Sequence, residues 1–347
     1  MLVEYPKIYI VILNWNGLHD TLQCLQTVYN MDYANYEVIV VDNASTDGSN
    51  RVIPQEYPEV IYLRNEINLG YTGGNNIAIR HALNRDAEYV WLLNNDTAVE
   101  PDCLRKIVEV AESAPEIGLV SPLVCYYDNP EIIQFCGNFV DWEKHDFIDV
   151  RQRPQLPDTP LTLWGTALLA KRALVETIGL FNENFFAYYE DQEYSLRTLN
   201  AGFKTRIVTE ARVYHKDSRS TGSSHSPLAT FLRTRNRYLL WRDIIQGKQW
   251  KRYRREFLAD VIMTSAELRR QGFFASAEAC LDGFWSGVVG DGGNRCDTRP
   301  MSRPLKRILL FFCSHAPYLW GGVLKGRLGA VATECRKRIL KKEADHE

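Results

Sequence analysis

No Cys-x-x-Cys pair and no paired histidines occur in these 347 residues; the eight cysteines stand apart at 24, 103, 125, 136, 280, 296, 313 and 335. Zinc ribbons and thiol–disulfide motifs are therefore excluded, and the cysteines read as buried thiols of a reducing compartment. No apolar run approaches the about 18 residues that a membrane span needs. The nearest, 308–324, is broken by Ser314, His315, Pro317 and two glycines, and reads as an interface segment. The chain enters a strand within its first ten residues without a basic segment, apolar core and cleavage site, so no signal peptide is expected. Zinc-finger spacing, RNA-binding aromatic motifs and a helix-turn-helix pattern are missing too, which argues against nucleic acid as a partner.

What is present is ordinary for a folded protein, with length for one large α/β domain plus an appendage or for two domains. A net charge of -2 conceals an asymmetry: residues 1–200 hold 13 Lys/Arg against 29 Asp/Glu, and residues 201–347 hold 28 against 14. An acidic pocket needs a cation to receive phosphate, whereas a basic region suits anionic lipid head groups or phosphate-bearing acceptors.

The first half alternates strands and helices. Lys7 to Leu13 is a strand, and Leu18, Leu22, Leu25 and Tyr29 then share one helical face. Glu37 to Val41 and Val60 to Leu63 are further strands, Gly73-Gly74 opens a helix reaching about Asn84, and Tyr89 to Leu93 is a buried strand. This rhythm predicts a mostly parallel sheet. Residues 117–180 are less regular, with a polar, proline-rich loop from Asp149 to Pro160. From Pro227 the pattern is helical: Leu228, Phe231, Leu232, Leu239 and Ile245 track one face, and Arg233, Arg235, Arg237 and Arg242 supply charge. A boundary near residue 225 divides an α/β domain, 1–225, from a basic helical region, 226–347.

Three strands stop at polar residues: Asn14 and Asn16 after the first, Asp42 and Asn43 after the second, Asn94-Asn95-Asp96 after Leu93. Open α/β sheets bind ligands at that carboxyl edge. Asp96 is suited to a hard divalent cation and, through it, a diphosphate; Asn94 to Thr97 is equally a good turn sequence. Asp42 can accept from the imide of a pyrimidine base, or cap a turn beside Ser45, Thr46 and Asp47. Gly70, Gly73 and Gly74 permit close backbone approach but lack the dinucleotide spacing.

Further on, the aromatic run Phe185 to Tyr189 leads into Glu190 and Asp191 at a helix start. Acids there favour the helix dipole, and an aromatic wall also desolvates a carboxylate into a better base. His215 and Lys216 precede a small-residue run, Ser218 to Ser224, that reads as a closing loop; a histidine nitrogen can ligate metal and a lysine can screen phosphate.

The order of Ile12-Leu13-Asn14-Trp15-Asn16-Gly17, Val40 to Ser49, Asn68-Leu69-Gly70, Leu92 to Thr97, Trp164-Gly165-Thr166 and Tyr189-Glu190-Asp191 resembles the family 2 glycosyltransferases over about residues 7–240. The Asn-Asn-Asp stretch and the later His-Lys look most like the bacterial rhamnosyltransferase branch. The resemblance implies a GT-A fold, a mostly parallel mixed sheet flanked by helices, with a helical C-terminal extension. It also implies cytoplasmic catalysis, a nucleotide-sugar donor, Mg2+ or Mn2+, and inversion at the anomeric carbon.

Carried over by position, Asn14, Asn16, Asp42, Asn68, Gly70, Asn94 and Asn95 bind the donor nucleotide, and His215 and Lys216 its diphosphate. Trp164, Gly165 and Thr166 meet the donor sugar or acceptor, Asp96 and His215 hold the metal, Asp191 is the base, and Glu190 orients the acceptor or tunes Asp191. One departure stands out: the family's acidic triplet often begins with Asp, and here Asn94 and Asn95 leave a single carboxylate, which gives His215 a place as a further ligand. The expected reaction moves rhamnose from dTDP-rhamnose to a cell-surface glycan or polyprenyl-diphosphate-linked acceptor; a UDP-hexose donor is the alternative within the class. The basic cluster Lys251, Arg252, Arg254 and Arg255, with the tail at 336–342, is suited to peripheral contact with a membrane, or to solvating its helices and docking on the acidic domain. A nucleotidyltransferase would need a basic glycine-rich loop, which Asn14 to Gly17 is not, and a non-catalytic glycan- or nucleotide-binding relative would have no use for both Asp96 and Asp191.

Overall fold

The computed structural model describes residues 5–151, 160–216, 226–293, 301–304, 306 and 308–311. The chain runs β1 (Ile8–Asn14), α1 (Leu18–Val28), β2 (Tyr36–Asp42), α2 (Ser49–Glu56), β3 (Ile61–Arg64), α3 (Gly70–Leu83), β4 (Tyr89–Asn94), β5 (Thr97–Val99), α4 (Cys103–Glu112) and β6 (Ile117–Tyr126). It continues through β7 (Ile133–Phe135), β8 (Asn138–Asp141), β9 (Asp146–Asp149), β10 (Ala167–Lys171), α5 (Arg172–Ile178), α6 (Glu190–Asn200), β11 (Lys204–His215), α7 (Pro227–Ile244), α8 (Gly247–Arg270) and α9 (Phe274–Val289).

The main sheet is ordered β3-β2-β1-β4-β10-β6-β11-β5, with β7 on β6. β1, β2, β3 and β4 are mutually parallel, β11 is parallel to β6, and β10 enters antiparallel between β4 and β6. Strands covered on both faces read as continuous apolar runs, as β1 and β4 do. On one face Ile8, Ile10 and Ile12 meet Cys24, Leu25 and Val28 of α1 with Leu104 and Ile107 of α4. On the other, Tyr9 and Val11 meet Ala78, Ile79 and Ala82 of α3 with Tyr194 of α6.

Three local expectations change. α3 begins at Gly70, and the Gly73-Gly74 pair lies inside it: a Cβ on Gly74 would stand 2.4 Å from Leu13, so this glycine lets the helix approach β1. The span 117–180 is more regular than its sequence suggests. β6 is ten residues long and buried on both faces, so no alternation betrays it, and Pro122 interrupts its pattern. The partner strand β11 shifts register between Val208 and Arg212, opposite Pro122 and Leu123, which absorbs the missing donor. Finally, α7 does not carry all its arginines outward: Arg235 and Asn236 are fully buried.

α7 packs closely on α9, where a Cβ on Gly283 would meet the Phe231 carbonyl at 2.4 Å. It also shares apolar clusters with the loop before α6: Phe231 and Leu232 with Phe186, and Leu240 with Phe185 and Leu196. Among the described residues no helix is long and apolar enough to cross a membrane. The tail at 336–342, the run at 218–224 and most of 308–324 lie outside the described residues.

Candidate active site

Strand register brings the polar strand ends level: Asn14 is opposite Asp42, and Leu13 opposite Asn94. The side chains nevertheless divide into floor and wall. Asn14 is fully buried; its Oδ1 accepts from Gly17 N at 3.1 Å and Thr21 Oγ1 at 3.0 Å, and its Nδ2 donates to Ser45 Oγ at 3.2 Å. Asn95 likewise turns to α1, donating to Thr21 Oγ1 at 3.0 Å. Both amides of these expected nucleotide-binding residues are engaged by Thr21, and that of Asn14 by Ser45 and Gly17 as well.

Asp42 is also fully buried, and its carboxylate accepts from Ser45 N (2.9 Å), Tyr62 Oη (2.9 Å) and Arg64 Nη1 (3.1 Å). The Arg64 side chain remains 42% exposed, so it is the group that a base would displace to reach Asp42. Asn16, at φ 52°, accepts from Thr46 N at 2.7 Å on the exposed rim. Asn68 accepts from Gly70 N at 2.8 Å and Asn43 Nδ2 at 3.0 Å, tying the third strand's exit to the second's.

Asp96 and His215 meet although 119 positions apart in sequence, with His215 Nε2 3.2 Å from Asp96 Oδ1. The pairing of β11 with β5 places His215 opposite Thr97 and so brings its ring to the end of β4. The other ring nitrogen, Nδ1, lies 2.9 Å from Gln134 Oε1 on β7. Nε2 faces Asp96 and lies 3.5 Å from Asn94 Nδ2 as well. A carboxylate and an imidazole, together with substrate phosphates, are donors that Mg2+ or Mn2+ accepts. Among the described residues no group of three or more His, Cys, Asp or Glu side chains converges, so phosphate oxygens would have to complete any such site. Lys216 is turned elsewhere than expected: its ammonium is 2.7 Å from Asp20 and also bonds Gln23 on α1.

Asp191 sits in the first turn of α6 with both oxygens held: Oδ2 accepts from Gly165 N at 3.0 Å and Oδ1 from Gln192 N at 2.8 Å. Burial nonetheless outweighs these bonds and raises its carboxyl to about 6. Glu190 beside it is pushed well above the usual carboxylate range by burial and by Asp191, and its buried Oε2 has no hydrogen-bond partner. The Trp164-Gly165-Thr166 segment joins the two halves: Gly165 N meets Asp191, and Thr166 O accepts from Asn94 N at 2.9 Å. Tyr71 Oη donates to Gly165 O at 2.6 Å, and Trp164 stacks on Phe135 at 3.9 Å between ring centres.

Residues 9–179 match the family model described as glycosyl transferase family 2. That segment is a family 2 glycosyltransferase domain. The chain is 29% identical, over 53% of its length and 68% of the relative's, to the N-acetylglucosaminyl-diphospho-decaprenol L-rhamnosyltransferase of Mycobacterium tuberculosis. It is 26% identical to the dTDP-rhamnosyl transferase RfbF of Shigella flexneri, over 68% of this chain and 80% of that one. Among solved structures, a mannosyltransferase from Pyrobaculum calidifontis in complex with GDP-Man and Mn2+ superposes with a TM-score of 0.53 at 17% identity, covering 91% of this glycosyltransferase and 82% of its own chain. The architecture is accordingly GT-A-like, as the motifs implied, with a helical C-terminal region. Asp191, His215 and all of α7 lie beyond the matched span.

Four residues that touch the candidate site or its loop escaped the sequence. Gln134 sits on a three-residue strand and Tyr71 inside a helix, and neither pattern signals a role. Arg235 reads as one of the charged residues of the helical pattern, and Asn236, between Arg235 and Arg237, carries no local signal.

Proposed function

We propose that this glycosyltransferase is inverting and uses a divalent cation to move a sugar from a nucleoside-diphosphate donor to a hydroxyl of a glycan or polyprenyl-diphosphate-linked acceptor. The donor that its relatives' names favour is dTDP-rhamnose. The observation that carries the reading is the Gly165–Thr166 bridge: one short segment hydrogen-bonds the base candidate at one end and the end of β4, just before Asp96, at the other.

Asp96 and His215 are the residues that would hold the cation, which when bound offsets the charge of the departing diphosphate. Asp191 takes the proton from the acceptor hydroxyl as that oxygen attacks the anomeric carbon from the face opposite the nucleotide. Two backbone N–H groups fix the direction of its lone pairs, and burial keeps it basic enough to accept a proton. Glu190, its carboxyl pushed upward by burial and by Asp191, has an unpartnered oxygen to offer a neighbouring acceptor hydroxyl. Asn14, Asn68, Asn95 and Gly70 preserve the shape of the floor, while Asp42, Asn16 and Asn94 offer the contacts for base and ribose. Catalysis on the cytoplasmic side, with the exposed Lys251, Arg252, Arg254 and Arg255 of α8 toward an anionic membrane, completes the reading. On this reading residues 1–225 bind donor and cation, and the helical region approaches the acceptor side.

Turnover measured across dTDP-rhamnose and UDP-hexoses with lipid-linked acceptors tests the donor. Asp191→Asn should keep nucleotide binding by calorimetry and lose transfer by about 10²- to 10⁴-fold. Near-normal turnover in that variant removes Asp191 from the role. Vesicle flotation with and without anionic lipid tests the membrane face, and no binding in either case sinks it.

A further inference from the structure

The loop that delivers Asp191 is held in an unfavourable shape. Phe186, Tyr188 and Tyr189 have φ of 63°, 70° and 70°, a left-handed conformation that side-chain-bearing residues seldom adopt without compensation, and Tyr189 immediately precedes α6. Such a sequence of turns points several carbonyls away from any regular partner. Those carbonyls are collected by α7. Asn236 Nδ2 stands 2.8 Å from Phe185 O, 2.8 Å from Ala187 O and 2.7 Å from Tyr188 O. Arg235 Nη2 reaches Asn184 O at 3.1 Å and Phe185 O at 2.9 Å, its Nη1 reaches Gly293 O at 2.5 Å, and its Nε donates to Asn236 Oδ1 at 2.8 Å. The last bond orients the Asn236 amide, so the two side chains act as one fitting.

The opposite side of the loop is held by α3. Thr72 N donates to Phe186 O at 3.1 Å, and Gly70 has no side chain because a Cβ there would stand 2.4 Å from that oxygen. A guanidinium removed entirely from water is costly for stability alone, and apolar residues would pack α7 against Phe185 and Phe186 without that cost. What apolar residues cannot do is hold the carbonyls of residues 184, 185, 187 and 188 in a strained turn.

We propose that Arg235 and Asn236 are positioning residues for glycosyl transfer: from the helical C-terminal region they clamp the strained turn 184–189 and so set the place of the carboxylate on α6. The inference rests on Asp191 being the base. It makes the helical region part of the catalytic apparatus, whatever else that region contacts.

The test is a double-mutant cycle on the full chain, with donor binding followed by calorimetry and folding by circular dichroism. Asn236→Ala should lower kcat by about 10- to 100-fold, the scale expected for a misplaced catalytic group, while donor affinity stays within about threefold. Its acid limb in the rate profile should move to lower pH, because a relaxed turn exposes Asp191 to water; the titratable neighbours of Asp191 are Glu190 on its own helix and Tyr71 on α3. On the residual rate of Asp191→Asn, Asn236→Ala should have under about a twofold further effect, since the two act through one group. A merely structural role would move neither the pH profile nor the coupling. If Asn236→Ala does not fold, Asn236→Ser and Arg235→Lys, which keep part of the donor set, carry the same comparison. A normal kcat and pH profile beside an inactive Asp191→Asn overturns the positioning role alone, as does an equal further loss in both backgrounds. Near-normal turnover of Asp191→Asn itself overturns the base assignment and the positioning role with it.

Discussion

The Asp96–His215 end and the Asp191 end of the candidate site are built in opposite ways. Asp96 stands just past a central parallel strand, where the sheet's own register delivers it, and its partner His215 ends the strand that pairs with β5. Asp191 stands past a turn with three left-handed non-glycine residues, which α3 and α7 must hold together. A sheet edge positions groups through backbone ladders, so side chains there are free to vary. A strained turn positions groups through specific side-chain donors, so those donors are less free to vary.

Perturbing each end should therefore give different signatures. The largest effect is expected from Asp96→Ala, which should abolish the Mn2+ dependence of dTDP binding, a loss on the order of 10²-fold or more in calorimetry with the fold intact. Unchanged cation-dependent binding would remove Asp96 as a ligand. Next, Gln134→Leu lets the His215 ring reorient, and should weaken Mn2+ binding about 10-fold while leaving the metal-independent nucleotide affinity alone. An equal affinity in both proteins would disconnect Gln134 from the cation.

The base end should show itself in pH. Asp191 acts when deprotonated and its carboxyl sits at about 6, so kcat/KM should fall about tenfold per unit below that pH and level off above it. A flat profile from pH 5 to 8 contradicts the assignment. The smallest effect is on stability. Asp191 titrates higher in the folded than in the unfolded chain, so its ionised form opposes folding above about pH 6, and that opposition fades between about 6 and 4 as both states protonate. Asp191→Asn should thus raise Tm by a few degrees at pH 8, roughly 1–3 kcal/mol, with the gain disappearing by pH 4. A gain that persists at pH 4 would point to packing instead of charge.

How much was legible varied with the kind of element. Each of the first four strands ended within one residue of its expected limit, because short apolar runs that stop at polar residues leave little freedom. β6 and β10 were not anticipated, since strands buried on both faces lose their alternation and a proline breaks the run. The expected site residues came together at one edge, yet their division of labour did not follow from the motifs. Thr21 engages the amides of Asn14 and Asn95, Ser45 engages that of Asn14 as well, and Lys216 became a partner of Asp20.

The sequence by itself determined the family, the strand-end constellation and the acidic pair at a helix start, because local propensity and burial periodicity act over a few residues. Only the tertiary structure decided which histidine nitrogen faces Asp96, and that two polar residues of a C-terminal helix hold the turn before Asp191. Those contacts join positions 48 to 81 residues apart, and their meeting depends on how the sheet and helices pack as a whole.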